Sequence, residues 1–173
     1  GMDDRTQAEL NDKDAIQETH FGGRLEYKNS NLRIGVTGVG SEYGGELNRN
    51  LSYHNQFEFN DNKNSVFGAD YNYVFQNFNF FGEFSRSENG GIAFVSGVLA
   101  SLDPRFSMSV LYRNYGRDYQ NLMSNGLEES SSTNNEKGIY VGGEARLTNQ
   151  FTLTGSMDFF TFPWLKYQAT RPN

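Results

Sequence analysis

Apolar and polar residues alternate along most of the chain from residue 19 onwards. The pattern is clearest in residues 65–84, SVFGADYNYVFQNFNFFGEF, where aromatic side chains fall on alternate positions on both sides of Gln76-Asn77. Successive side chains of a β-strand point to opposite faces of its sheet, so a period of two predicts strands with one apolar face. The Gln76-Asn77 pair predicts a tight turn, and the stretch as a whole is predicted to form a β-hairpin.

The same alternation continues through the chain and predicts about nine antiparallel strands in an up-and-down meander. The predicted strands cover about residues 21–27, 32–37, 51–59, 67–75, 78–84, 92–102, 106–113, 139–147 and 151–159. Residues 92–102 are apolar at both parities, which predicts that other parts of the protein cover both faces of that strand. Residues 116–136 are polar and without periodicity, so they are predicted to form a long loop. The fold class is therefore all-β and antiparallel.

The N-terminal residues carry a helix signal instead. Thr6-Gln7-Ala8-Glu9 is a capping box, in which the Thr hydroxyl and the Glu carboxylate satisfy backbone N–H groups at a helix start. A short helix through about Ile16 is predicted, so residues 1–18 are expected to be a capped helix and lead-in, and residues 19–173 a single β domain. The N-terminus has neither the basic region nor the apolar region of a signal peptide, and we expect none in this chain.

The polar parity of the strands carries arginines mixed with carboxylates. Solvent-facing strands of soluble sheets usually carry many lysines, which protect their edges, whereas this mixture favours ion pairing across strands in a confined lumen. Such salt bridges are favoured over an acid/base pair of Asp70 with Glu83. The residues expected to face the lumen are Arg24, Glu26, Arg33, Glu58, Asp70, Glu83, Arg113, Glu144, Arg146 and Asp158.

The apolar parity is rich in rings, several of them near strand ends, where outer-membrane barrels have aromatic girdles. The strands are about ten residues long, which suffices for a tilted strand to cross the apolar band of an outer membrane. The residues expected to face lipid or the membrane interface are Phe67, Tyr71, Tyr73, Phe75, Phe78, Phe80, Phe84, Tyr112 and Trp164.

The predicted connections also differ in length between the two ends of the strands. Counted along nine strands, the turns at 76–77, 103–105 and 148–150 share one end, and the loop at 116–136 lies at the other. The segment at 41–50 falls at the short-turn end in this count and is the exception. Short turns at one end and long loops at the other are typical of outer-membrane barrels.

Composition narrows the function classes. Aromatic residues make up 15% of the 173 residues although the mean hydropathy is -0.70, and so many rings argue against disorder. The net charge of -6 offers no basic surface for nucleic acid. Cysteine is absent, and His20 and His54 are the only histidines, so no metal site, cofactor site or catalytic triad can be assembled. The chain is therefore expected not to be an enzyme.

Five stretches carry a resemblance that extends over nearly the whole chain: RTQAELNDKDAIQETHFGG, NFNFFGEFSRSENGGIAF, SLDPRFSMSVLYRNYGRDYQ, NEKGIYVGGEARL and FTFPWLKYQ. They resemble the barrel region of large Gram-negative outer-membrane proteins that carry an N-terminal helix-hairpin-helix module. The resemblance implies a transmembrane β-barrel of which this chain is an internal piece. The module has no counterpart here, and the chain ends at Arg171-Pro172-Asn173 rather than in a terminal aromatic strand. The resemblance assigns no functional residue.

Two functions remain open on the sequence alone. The first is a segment of an outer-membrane barrel, in contact with membrane lipid, that passes or binds a solute or anchors a surface assembly. The second is a soluble, lipocalin-like barrel whose apolar parity lines a cavity for a hydrophobic ligand. Both produce the same alternation, and they differ in the direction in which the apolar face points.

Overall fold

Eight antiparallel strands form one sheet in the computed structural model, which describes residues 18–44, 62–120 and 134–164. The strands are β1 (Glu18–Lys28), β2 (Leu32–Tyr43), β3 (Lys63–Phe75), β4 (Phe78–Ser87), β5 (Ile92–Asp103), β6 (Phe106–Tyr115), β7 (Glu136–Arg146) and β8 (Thr152–Thr161). Each strand pairs with the next one in the chain, so the order across the sheet is the order in the sequence. The prediction of an all-β antiparallel meander is confirmed.

The number of strands differs from the sequence prediction. The strand predicted at 51–59 and the helix predicted at 6–16 lie outside the described residues. β2 pairs directly with β3, with Glu42 opposite Lys63 at one end of the ladder and Leu32 opposite Tyr73 at the other. No strand is therefore interposed between β2 and β3 in the sheet, and the described residues form eight consecutive strands where about nine were predicted for the chain.

This count decides the end of the sheet at which each connection lies. The turns at 29–31, 76–77, 104–105 and 147–151 share one end, which we call the short-turn end. The connections at 44–62, 88–91 and 116–135 share the other, which we call the long-loop end. The sequence analysis placed the connection after β2 at the short-turn end because it counted a strand at 51–59. Because β2 pairs directly with β3, the connection between them lies at the long-loop end and is no longer an exception.

The sheet is strongly curved. Arg24 on β1 and Leu111 on β6 line the same pocket, which has a volume of about 470 Å³. In a flat sheet, strands this far apart in the order would lie about 24 Å from each other, so the sheet must curl toward this pocket. We call the face that lines the pocket the concave face and the opposite face the convex face.

The register places each parity of the sequence on one of these faces. One row of register partners crosses all eight strands on the concave face: Glu26, Gly35, Asp70, Glu83, Val95, Arg113, Gly138 and Phe160. The next row lies on the convex face: Tyr27, Ile34, Tyr71, Gly82, Ser96, Tyr112, Ile139 and Phe159. The polar parity is thus concave and the ring-rich parity convex.

The largest apolar cluster of buried side chains in the described residues is small and lies on the concave face. Ala93, Tyr115 and Tyr119 form it, and the partly buried Val66 and Val95 pack against it. This cluster explains why β5 is apolar at both parities, because Ala93 and Val95 point toward the rings while the alternate residues point outward. The structure thus covers only the concave face of β5 near the long-loop end, and the predicted cover of its other face is not found there, because Ile92 is exposed.

The β3–β4 turn has a strained residue. Phe75 pairs with Phe78, so Gln76 and Asn77 form a two-residue loop, and Gln76 has φ of 52°. Two-residue hairpin loops use type I′ or II′ turns, and both types place the first central residue at positive φ, which glycine adopts without steric cost.

Gln76→Gly is expected to raise the free energy of unfolding by about 0.5–1 kcal/mol, because the relief of left-handed strain exceeds the entropy that glycine adds to the unfolded chain. Asn77→Gly is the control, since Asn77 has no positive φ to relieve and should lose stability. Urea unfolding of the purified protein measures both. Equal losses for the two variants would show that the turn is not strained at Gln76.

Candidate functional site

Arg113 on β6 is the centre of a buried charge cluster on the concave face. Its side chain is 2% exposed, and its Nε donates a hydrogen bond to Glu136 Oε1 at 2.7 Å. Nη1 and Nη2 donate to the two carboxylate oxygens of Asp158 at 2.8 and 3.0 Å. This bidentate contact uses the planar fork of the guanidinium, which matches a carboxylate in shape. Charges buried this deeply persist only when they are paired and hydrogen-bonded.

Arg24 on β1 is the centre of a second and more exposed cluster. It donates to Asp70 Oδ2 at 2.6 Å and Oδ1 at 3.0 Å, to Glu26 Oε2 at 3.0 Å and to Thr37 Oγ1 at 2.9 Å. Its side chain is 38% exposed, so solvent screens these contacts and each one stabilises the sheet only weakly.

Both arginines cross a strand over a glycine. Arg24 reaches from β1 over Gly35 to Asp70 on β3, and Arg113 reaches from β6 over Gly138 to β8. A Cβ atom on Gly138 would lie 2.6 Å from Arg113 Cζ, and one on Gly35 would overlap the Arg24 guanidinium. The two glycines thus provide the space in which each guanidinium lies flat on the sheet and bonds to a carboxylate two strands away.

The structure places all the described members of the predicted lumen set on the concave face. Five of them form the two clusters: Arg24, Glu26, Asp70, Arg113 and Asp158. Arg33 and Glu83 line the pocket without joining either cluster. Glu144 and Arg146 lie toward the short-turn end of β7, and both are exposed. Glu58 lies outside the described residues.

The predicted lipid-facing residues of β3, β4 and β6 lie on the convex face. They are Phe67, Tyr71, Tyr73, Phe75, Phe78, Phe80, Phe84 and Tyr112, and all except the half-buried Phe78 are exposed. Near the short-turn end, the Tyr73 ring stacks on Phe75 and Phe80 with centroids 6.4 Å apart in both pairs, and Phe78 stacks on Phe80 at 6.1 Å. The β3–β4 hairpin therefore carries a continuous aromatic surface.

Trp164 belongs to neither strand face. It follows β8 at the long-loop end, where its backbone N–H donates to Asn135 Oδ1 at 2.7 Å and its carbonyl accepts from Asn135 Nδ2 at 2.9 Å. The Arg117 guanidinium carbon lies 5.0 Å from the centroid of the indole ring, a distance at which a cation–π contact forms. Trp164 thus ties the end of β8 to the β6–β7 connection.

Sequence reasoning missed two members of the concave face. Glu136 was assigned to the loop at 116–136, although it lies two residues before Gly138 and so continues the concave parity of β7. Extending the alternation backwards would have placed it correctly. Tyr119 lies in the aperiodic part of the chain, and no local pattern indicates its burial.

Metal sites, membrane-spanning helices and relatives of the chain were each sought. Among the described residues, no three His, Asp or Glu side chains lie close enough together to hold a metal ion. Within residues 18–44, 62–120 and 134–164 no helix is long and apolar enough to span a membrane. No known protein family matches the chain, and no curated protein shows significant sequence similarity to it.

Arg113→Met is expected to lower the free energy of unfolding by about 3–5 kcal/mol, because it leaves the Glu136 carboxylate buried without its cation. Arg24→Met is the matched control, and it should cost much less stability than Arg113→Met, because that cluster is solvated. The double variant Arg113→Met with Glu136→Gln should recover part of the loss. Urea unfolding measures all three, and equal costs for the two arginines would contradict the difference in burial.

Gly138→Ala is expected to lower the free energy of unfolding by about 1–3 kcal/mol, because the new methyl group displaces the Arg113 guanidinium from Asp158. Gly155→Ala on β8 is the control, since a Cβ there meets no atom within 4 Å. That control should be neutral or slightly stabilising. If both alanines behave alike in urea unfolding, the guanidinium does not need the space above Gly138.

Proposed function

We propose that this chain is a segment of a non-enzymatic outer-membrane β-barrel protein, with its convex face in lipid and its concave face lining a polar path for solutes. The single observation that carries the proposal is the exposed, ring-rich convex face, whose charged residues are confined to the strand ends, whereas the charges in the middle of the sheet lie on the concave face. The proposal agrees with what the resemblance to the barrel region of Gram-negative outer-membrane proteins implies.

The exposure of the convex face supports contact with lipid. Leu25 is 74% exposed, Phe67 67% and Met157 65%, and these residues lie on β1, β3 and β8, so the apolar surface extends across the whole sheet. Soluble monomers rarely expose contiguous apolar patches beyond a few hundred Å². Hydrocarbon would solvate this surface at no cost, because lipid tails are as apolar as the side chains themselves.

The apolar surface has a polar border. On the convex parity near the long-loop end lie Glu42, Lys63, Arg86 and Lys137, and Lys63 Nζ bonds to Glu42 Oε1 at 2.9 Å. Between this border and the short turns, β3 runs from Phe67 to Phe75. A strand of that length, tilted by about 40°, covers about 20–25 Å, close to the height of the apolar band of outer-membrane barrels.

The concave face supports a polar interior. The pocket of about 470 Å³ combines four charged residues with apolar and aromatic ones. It is lined by Arg24, Arg33, Asp70 and Glu83, and by Tyr71, Phe81, Gly82, Val95, Leu111 and Tyr115. Interiors of membrane barrels are polar because water or a plug fills them. A cavity for a hydrophobic ligand would instead be lined by the ring-rich parity, which faces away from this pocket.

The lengths of the connections support an orientation. Outer-membrane barrels have short periplasmic turns and longer extracellular loops. The connections at 44–62 and 116–135 share one end of the sheet, while the loop at 76–77 and the other short turns share the opposite end. The proposal therefore places the long-loop end at the cell surface.

Membrane fractionation tests the proposal. The native open reading frame that contains this chain is expressed with its own signal sequence, and its gel mobility is compared with and without heating. Recovery in the outer membrane with a heat-dependent mobility shift is the expected result, since closed barrels resist detergent until heated. Recovery in the soluble periplasm would contradict the proposal and favour the lipocalin-like alternative.

Tyr71→Arg is expected to block membrane assembly, because an arginine on the lipid face costs about 2–4 kcal/mol near the bilayer midplane. Asn72→Arg is the matched control, since the neighbouring side chain points to the concave face and should be tolerated. Tyr71→Phe separates the loss of the hydrogen bond between Tyr71 Oη and Ser96 Oγ, 2.8 Å long, from the effect of charge. If the two arginine variants assemble equally well in the membrane, the proposal that the convex face contacts lipid is wrong.

A further inference from the structure

The first residues of the β6–β7 connection fold back onto the concave face. We call residues 116–120 the strap. Its Tyr119 side chain is only 3% exposed and packs against Ala93 on β5 and Tyr115 at the end of β6. A loop that stayed outside the sheet would expose such a ring, so the strap belongs to the interior of the curved sheet.

Hydrogen bonds hold the strap to two strands, β4 and β3. Tyr119 Oη donates to Ser85 Oγ at 2.9 Å, and the Gln120 backbone N–H donates to Ser87 Oγ at 3.2 Å, both on β4. On β3, Asn64 Nδ2 donates to the Gln120 carbonyl at 3.3 Å.

The turn between β4 and β5 holds the strap as well. There, Asn89 Nδ2 donates to the Asp118 carbonyl at 2.5 Å. A Cβ atom on Gly91 would overlap that same carbonyl, so the backbone of the strap lies directly against this turn.

The acceptors and donors under the strap are themselves buried. Asn64, Ser85 and Ser87 are buried polar residues of the concave face. Small hydroxyl side chains at Ser85 and Ser87 leave room for the strap and give it partners at the same time. A buried polar group costs free energy unless it is hydrogen-bonded, so these residues favour the strap in its inward position.

The position of the strap defines what it does to the interior. It leaves the sheet at the end of β6 and reaches β3, which is about 14 Å across the sheet. The pocket lined by Arg33 and Glu83 lies beside it toward the short-turn end, with Tyr115 common to the pocket and the ring cluster. A solute that enters at the long-loop end therefore meets the strap before it reaches the charged pocket.

We infer that the strap is a constriction at the long-loop end of the interior and that Tyr119 sets the size limit for solutes that pass. The inference rests on the proposed function and adds to it the residue that determines size selectivity. The strap narrows the path by its own bulk, and its hydrogen bonds to Ser85 and Ser87 keep it inside. Selectivity in such a path follows from its diameter and from the groups that line it.

Thiol labelling first tests whether the strap covers the concave face. The chain has no cysteine of its own, so an introduced cysteine is the only thiol that can react. Ala93→Cys places a thiol under the strap, and Ser156→Cys places one on the exposed concave surface of β8. A water-soluble maleimide should label the first about tenfold more slowly, because it reacts only when the strap opens. Adding Tyr119→Ala should remove that difference. Equal labelling rates without Tyr119→Ala would overturn the inference.

Solute uptake into liposomes that carry the barrel assembled from the native open reading frame tests the size limit. Tyr119→Ala should raise the uptake of a trisaccharide relative to a pentose about twofold or more, because the path widens. Ser85→Ala, which keeps the ring but removes its anchor, should give a smaller rise. Tyr112→Ala is the control, since it removes the same ring from the convex face.

The outcomes separate the inference from the proposed function. Uptake by the unsubstituted protein with no change on Tyr119→Ala would overturn the size limit and leave the polar path standing. No uptake of either sugar by any variant, in a correctly assembled barrel, would overturn both. A change in the ratio with Tyr112→Ala equal to that with Tyr119→Ala would show a general loss of packing and would overturn the role of Tyr119.

Discussion

Cross-strand register is the constraint on which the rest of this sheet depends. A slip of one residue between two strands exchanges the faces of every side chain beyond the slip, so charges would enter the convex surface and rings the concave one. The two arginine clusters oppose such a slip. Arg113 finds both a glycine to lie on and a carboxylate beyond it only when Gly138 is its register partner. Arg24, which is paired with Thr37, reaches diagonally over Gly35, the register partner of Glu26, and a change of register would remove that glycine as well. Buried ion pairs often add little net stability. We interpret the contribution of these two clusters as specificity, because they favour one register of the strands over the neighbouring registers.

Local order was predictable from the sequence because it depends on residues close together in the chain. The β3–β4 hairpin has its turn and both of its strands within about twenty residues, and alternation alone located them. The strand pairs β1–β2, β5–β6 and β7–β8 were predictable for the same reason, because each is joined by a short turn. β2 and β3 differ, because the partner of Glu42 lies beyond the connection at 44–62 and no periodicity indicates where pairing resumes. The sequence analysis therefore interposed a strand between β2 and β3, and this assigned the connection to the wrong end of the sheet.

The candidate site was only partly predictable for a related reason. Alternation placed Arg24, Asp70, Arg113 and Asp158 on one face, yet it did not show which would meet. Each arginine bonds to a carboxylate two strands away, and that distance depends on the register of the strand between them. Tyr119 was beyond reach altogether, because its burial depends on a fold of the loop over β3, β4 and β5. The sequence did not show whether the apolar face is concave or convex, because alternation is the same when the rings line a cavity and when they coat the exterior. The curvature of the sheet decides between the two.

The meander order has a consequence for how such a sheet changes over evolutionary time. The backbone of each described strand contacts only the strands next to it in the chain, whereas the strap and the side chains of Arg24 and Arg113 reach across a strand. Each hairpin is therefore a nearly independent module, as a repeat is in a solenoid. Duplication or loss of a hairpin would change the circumference of the sheet and leave the surviving ladders intact, whereas the segment spanned by the strap, from β3 to β6, would have to be inherited as one block.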